Sequence, residues 1–131
     1  MRVILGLFAL VLFVCVAQAR DVGQWEDTDP VIRQWYKSLM QPDIPTMPCC
    51  GLADAYWADS YEVAPDGSYI AIITDDRPDI PLGRPHRDVG TKILVPKGKL
   101  KFDQSNPTGH GIIFLAYSSD TVYCYLPPGG V

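Results

Sequence analysis

The chain reads as an α+β domain, with an N-terminal amphipathic helix packed on a small, strongly curved antiparallel sheet of about five strands and stapled by a disulfide. Three observations predict it. Apolar residues follow Pro30 at helical spacing, short β-branched and aromatic runs separated by turn residues dominate from residue 60 onward, and a cysteine pair at 49 and 50 has one partner far downstream at 124.

The first 19 residues are set apart from this domain. Arg2 supplies an early positive charge, residues 3–17 are an uninterrupted apolar run, and Ala17-Gln18-Ala19 puts small residues three and one before a cut. That is the pattern of a secretory signal peptide, since a spanning helix needs about 20 apolar residues. Cleavage is expected after Ala19, with the mature protein in the periplasm or outside the cell and no stable membrane anchor left. Cys15 follows the bulky Leu12-Phe13-Val14, unlike a lipidation site, and leaves with the leader. Residues 20–131 then form a single small domain. It retains ten of the 11 Lys and Arg against all 15 Asp and Glu, a formal charge of −5. An acidic chain without a basic cluster argues against nucleic acid or anionic lipid as partner. The one dense basic segment, residues 97–101, alternates as the solvent side of a strand or hairpin end does.

The helix is expected over residues 30–40. Thr28 or Asp29 can cap it, Pro30 suits the first position, and Val31, Ile32, Trp35, Tyr36, Leu39 and Met40 make its apolar stripe before Gln41-Pro42 stops it. Pro45 and Pro48 stiffen the path to the cysteines, and a short helical turn is expected over 52–57. Residues 60–63 and 68–74 flank Ala64-Pro65-Asp66-Gly67, a hairpin with Pro, Asp and Gly where a reversal wants them. Residues 75–88 hold three prolines and few apolar residues, so a long, exposed, mobile loop is expected. Strands over 92–95, 112–117 and 122–126 complete the set, with Ser118-Ser119-Asp120 as the last turn.

Without the leader the cysteines are Cys49, Cys50 and Cys124, an odd number in a chain sent to an oxidising compartment. Zinc wants four ligands with spacing that wraps the ion, which adjacent cysteines do not provide, and no CxxC redox motif occurs. No metal and no cofactor are expected. A bridge from Cys124 to Cys49 or Cys50 remains, closing a loop of about 75 residues. If 52–57 is helical, Leu52 and Tyr56 share a face with Cys49, which favours Cys49.

The order Trp35-Tyr36-Lys37-Ser38-Leu39-Met40-Gln41-Pro42, Cys49-Cys50-Gly51 with Ala53-Asp54, Asn106-Pro107-Thr108-Gly109, and Val122-Tyr123-Cys124-Tyr125-Leu126-Pro127-Pro128 resembles a group of small exported alphaproteobacterial proteins without an assigned activity. Members often carry a further cysteine directly after the Ala-Asp pair and another several residues past the Pro-Thr-Gly step. Here those places hold Ala55 and Ile113 or Phe114, which implies the loss of one optional disulfide. The resemblance implies a periplasmic or secreted setting and brings no activity with it.

No catalytic or cofactor motif is present, and no catalytic residue is assigned. A binding or interaction module is the expected class, with an unknown protein or envelope carbohydrate as partner. Asp54, Tyr56, Trp57 and His110 are the candidate binding residues, because carboxylates beside rigid aromatic rings suit sugar rings or a protein surface. The same composition also fits a core edge beside a disulfide. The alternative is a small hydrolase or cell-envelope enzyme using a Cys/His pair, with Cys49 or Cys50 and His110, or carboxylates such as Asp59, Asp75 and Asp79.

Overall fold

The computed structural model describes residues 28–129; the leader read above and the first residues after it, 1–27, lie outside that range. Helix α1 (Pro30–Ser38) forms where the apolar spacing puts it and ends two residues early. Asp29 is the cap. Its Oδ1 accepts the Val31 N–H at 2.8 Å, and Pro30 fills the first turn, where a missing donor costs nothing. Leu39 is already extended, with φ −73° and ψ 122°, and sends the chain away. Trp35 and Leu39 turn inward while Val31 is 69% exposed.

Six strands follow: β1 (Ala53–Trp57), β2 (Ser60–Val63), β3 (Tyr69–Ile72), β4 (Lys92–Val95), β5 (Ile112–Ala116) and β6 (Val122–Leu126). They form two antiparallel three-stranded sheets, ordered β1-β5-β6 and β2-β3-β4, in place of the single sheet of about five strands expected. The extra strand is β1, where a helical turn was expected. Ala53 to Trp57 pair residue for residue with β5, from Ala53 opposite Ala116 to Trp57 opposite Ile112. A short segment has no local signal strong enough to resist such pairing.

The first sheet is buried on both faces, which explains why Ile112-Ile113-Phe114-Leu115 is an unbroken apolar run rather than an alternating one. On one face Tyr56, Ile113, Leu115 and Tyr125 meet Ala71, Ile93 and Val95 of the second sheet and Ile73 just past β3. On the other, Ile112, Phe114, Cys124 and Leu126 meet Trp35, Leu39 and Cys49. The molecule is therefore layered helix, sheet, sheet. Phe114 alone contributes about 1.5–3 kcal/mol by the scale for a fully buried large apolar side chain. The disulfide lies in the helix-side core and joins Cys49 to Cys124 with Cα atoms 5.5 Å apart. The reason differs from the helical one expected: Leu52 is 66% exposed and no helix runs there, and Cys49 is instead drawn in by its N–H on the Leu39 carbonyl at 2.9 Å.

At Ala58 and Asp59 the chain bends out of the first sheet and into the second. The Ala58 N–H bonds the Gly111 carbonyl, and a Cβ on Gly111 would stand 2.3 Å from the Ala58 oxygen, so the strands approach this closely only with glycine there. The hairpin between β2 and β3 turns at Gly67, whose φ of 84° is glycine's region, as the Pro-Asp-Gly signal requires. Residues 97–101 are not a strand: Lys97–Lys99 is a 3-10 turn, Lys99 Nζ bonds Gln41 and Asp43, and Leu100 bridges Tyr125 in parallel.

Residues 75–88 correct the sequence reading most. They include a short helix, α2 (Asp79–Leu82), and lie against the outer edge of β1. Asp75 Oδ2 accepts the Trp57 N–H at 3.0 Å, and Arg84 Nη1 donates to the Ala55 carbonyl at 2.9 Å and to Asp75 at 2.7 Å. The backbone N–H of Thr74 takes the Trp57 carbonyl, and the Tyr56 hydroxyl donates to the Pro85 carbonyl at 2.6 Å. A carboxylate and a guanidinium thus satisfy a sheet edge in place of another strand. Arg84 also packs 4.5 Å over the Tyr56 ring, and both Asp75 and Arg84 are buried. The segment is pinned by charge rather than by apolar anchors, so its composition concealed its order.

Candidate functional site

Of the four residues singled out for binding, the fold brings two together. Trp57 and His110 stack with ring centroids 3.8 Å apart and planes 7° from parallel. Asp54 and Tyr56 alternate to the opposite face of β1 and are buried, Tyr56 at 2% exposure in the core between the sheets. Tyr56 is thus a core residue whose hydroxyl is already engaged, and it does not form a surface with Trp57.

Asp59, at the bend, organises the neighbourhood. One oxygen accepts the Gly111 N–H at 2.8 Å, the other accepts from the Thr74 hydroxyl at 3.2 Å, and both face His110 Nδ1, the nearer at 3.0 Å. A carboxylate can only accept, so Nδ1 carries the proton and Nε2 is turned away from Asp59. Arg77 lies on the Trp57 ring as well, its guanidinium carbon 3.8 Å from the centroid, and is tied by a bidentate pair to Asp75. Trp57 is therefore a platform for His110 and Arg77 more than a free face. What it leaves accessible is the imidazole, one third exposed, beside the equally accessible Asp59 carboxylate.

Two residues beyond Asp59, a second aromatic group opens to solvent. Tyr61 stacks on Tyr69 at 4.8 Å and 14°, and Phe102 meets Tyr69 edge-on at 6.3 Å. Tyr61 is 38% exposed, Phe102 51% and Val63 57%. Val63 lies opposite Tyr69 and Tyr61 opposite Ala71, so Tyr61, Val63, Tyr69 and Ala71 share the sheet's inner face; β2 carries its two beyond the core. Tyr69 and Phe102 were not among the expected binding residues. The hairpin turn held the signal for Tyr69, since its register makes Tyr61 and Tyr69 diagonal neighbours; Phe102 arrives from a distant segment and had none.

The thiol chemistry is closed off. Cys49 and Cys124 are bridged, and the Cys50 thiol donates to the Tyr36 carbonyl at 3.3 Å and is pushed up to about 12 by burial, which leaves it protonated and unreactive at neutral pH. Among the described residues no group of three or more His, Cys, Asp or Glu is placed to hold a metal ion, and no helix is long and apolar enough to cross a membrane. No family model matches the chain, and no curated protein and no solved structure is significantly similar to it.

Proposed function

We propose that this is an exported binding module whose contact surface runs from His110 and Asp59 to Tyr61, Val63, Tyr69 and Phe102. The open aromatic group at β2 carries the proposal. Rings held by stacking lose little freedom on contact, and here Tyr61 and Tyr69 sit on paired strands, with Phe102 packed edge-on against Tyr69 from the segment after Leu100. Export rests on the leader pattern, and the buried disulfide is compatible with it. Membership of the exported alphaproteobacterial group belongs to the same reading. One feature is compatible with it: of the two places for the second cysteine, Ile113 and Phe114, Phe114 lies directly opposite Ala55, where a cross-strand pair would form.

The test is capture from periplasmic extract on the immobilised chain from Arg20 onward, compared with a Tyr61→Ala/Phe102→Ala variant. A protein or carbohydrate retained by the first and lost by the second, at unchanged melting temperature, is the expected result; equal retention by both would place the contact surface elsewhere. The enzyme reading retains one supporting observation, the Asp59 and His110 pair, which orients Nε2 outward as a general base needs. Its cysteine form is disfavoured by the bridged Cys49 and the half-buried, protonated Cys50.

A further inference from the structure

The edges of the two sheets are treated differently. The outer edge of β1 is covered by Asp75, Arg84 and Thr74, and that of β6 by residues 100 and 101, with the Lys101 N–H on the Tyr125 carbonyl at 2.9 Å. β2 has no such cover. The Ala64 N–H bonds the Ser68 carbonyl across the hairpin, so by the two-residue alternation of an antiparallel ladder Glu62 and Ser60 bond inward to β3. Tyr61 and Val63 then point their N–H and C=O groups outward, and no described residue meets them. All four residues of the strand are exposed.

An open edge is a template for another strand. Strand addition uses such a row of backbone groups for affinity and alternate side chains for specificity. Both are present, since Tyr61 and Val63 lie on the face that continues into Tyr69 and Phe102. Charge selects the occupant. From residue 59 to 72 the chain has Asp59, Glu62 and Asp66 and no Lys or Arg. A second copy in any antiparallel register would bring three more carboxylates to this edge, whereas a basic strand would find complementary charge. Lys92 on β4 pairs with Glu62 at 2.8 Å and the Lys97 charge acts on Asp66, so a basic strand would compete with these two cations for the carboxylates.

We propose that β2 accepts an extended, basic segment of another protein as an added antiparallel strand, hydrogen-bonded to the Tyr61 and Val63 backbone and resting its apolar side chains on the Tyr61 and Val63 side chains. This rests on the binding reading above and names the partner class.

The probe is the heptapeptide Lys-Val-Lys-Val-Lys-Val-Lys, titrated into the mature chain at physiological salt. Its controls are the same peptide N-methylated at alternate backbone nitrogens and the Glu-for-Lys peptide. Binding should shift the Tyr61 and Val63 amide resonances. Removing two strand hydrogen bonds by N-methylation should weaken it about tenfold, and Val63→Pro in the protein, which removes one, about threefold. The melting temperature of the proline variant should stay close to wild type, because the Val63 N–H meets no described residue. Equal binding of the plain and N-methylated peptides, shifts confined to other residues, or no binding at all overturns strand addition. So does a dimer in sedimentation that Val63→Pro abolishes, which would make a second copy the occupant. A carbohydrate captured through Phe102 and indifferent to Val63→Pro would overturn this proposal while leaving the binding reading intact.

Discussion

Asp75 and Arg84 show how one charge pair decides the state of a long segment. Burial alone would raise the Asp75 pKa, but hydrogen bonds from Arg77 and Arg84 and from the Trp57 and Arg77 N–H groups outweigh it and hold the carboxyl well below its ordinary 3.8. A depressed carboxylate stabilises the fold above its unfolded pKa and loses that contribution as pH falls through the folded one. Chemical denaturation should therefore show stability declining from about pH 4 downward, with a shallower decline in Asp75→Asn. Arg84→Ala leaves Asp75 buried with one partner fewer and should lower the unfolding free energy by about 3–5 kcal/mol, the usual cost of breaking a buried pair. His86 works in the opposite sense. Asp79 faces its Nδ1 at 2.6 Å and Asp88 its Nε2 at 2.8 Å, so only the imidazolium can donate to both, and its pKa is raised above 6.5 by the Asp79 and then the Asp88 hydrogen bond. That support is complete below pH 6.5 and is lost as pH rises through the folded value. An NMR titration placing the His86 midpoint at or below 6.5 would show that the pair is not formed in solution.

At the level of elements, the contrast between β1 and β2 has a direct readout. The Trp57 N–H is held by a carboxylate at 3.0 Å against a half-buried background and should exchange slowly with solvent. The Tyr61 and Val63 amides, facing outward on the same continuous stretch of chain, should exchange near the unprotected rate, with Glu62 between them protected by β3. Hydrogen exchange followed by NMR gives all four values in one experiment. Protection at Tyr61 and Val63 in the isolated chain would mean that the edge is already occupied. The short helix α2 depends on its surroundings, having four residues, no side-chain cap and Gly83 at φ 62° to end it. Its place is fixed by Arg84 on Asp79 at 2.9 Å, so it should melt with the Arg84 network rather than separately.

For the molecule as a whole, the disulfide joins the segment after the helix to the last strand across 75 residues of sequence, the whole length of both sheets. Cys124→Ser should cost about 2–5 kcal/mol, read from denaturant midpoints under non-reducing conditions. An unchanged midpoint would mean that the bridge does not form in the protein as produced. The chain from Arg20 onward should also show one free thiol only after denaturation. Cys50 is half-buried, bonded to the Tyr36 carbonyl and pushed up to about 12, so a thiol reagent at neutral pH should find almost no thiolate in the folded state. Rapid native labelling would instead indicate that the helix leaves the sheet often.

The sequence by itself determined the features that are local or binary. The cap and stripe of α1, the hairpin at Pro65-Asp66-Gly67, the strands over 92–95 and 122–126 and the bridging of Cys124 all follow from a few adjacent residues or from which thiols exist. Tertiary structure decided what depends on a partner far along the chain. Residues 53–57 hold too few residues to choose between helix and strand, and pairing with β5 chose. Residues 75–88 look loose because their anchors are charges, and a charge orders a segment only where its counterion and a backbone edge meet it out of water. Trp57 and His110 were both visible as candidates. Their stacking, Arg77 on the same indole, and the aromatic group at Phe102 come from segments 20 to 53 residues away in sequence, whose placement is set by the fold's packing and by no periodicity the chain carries.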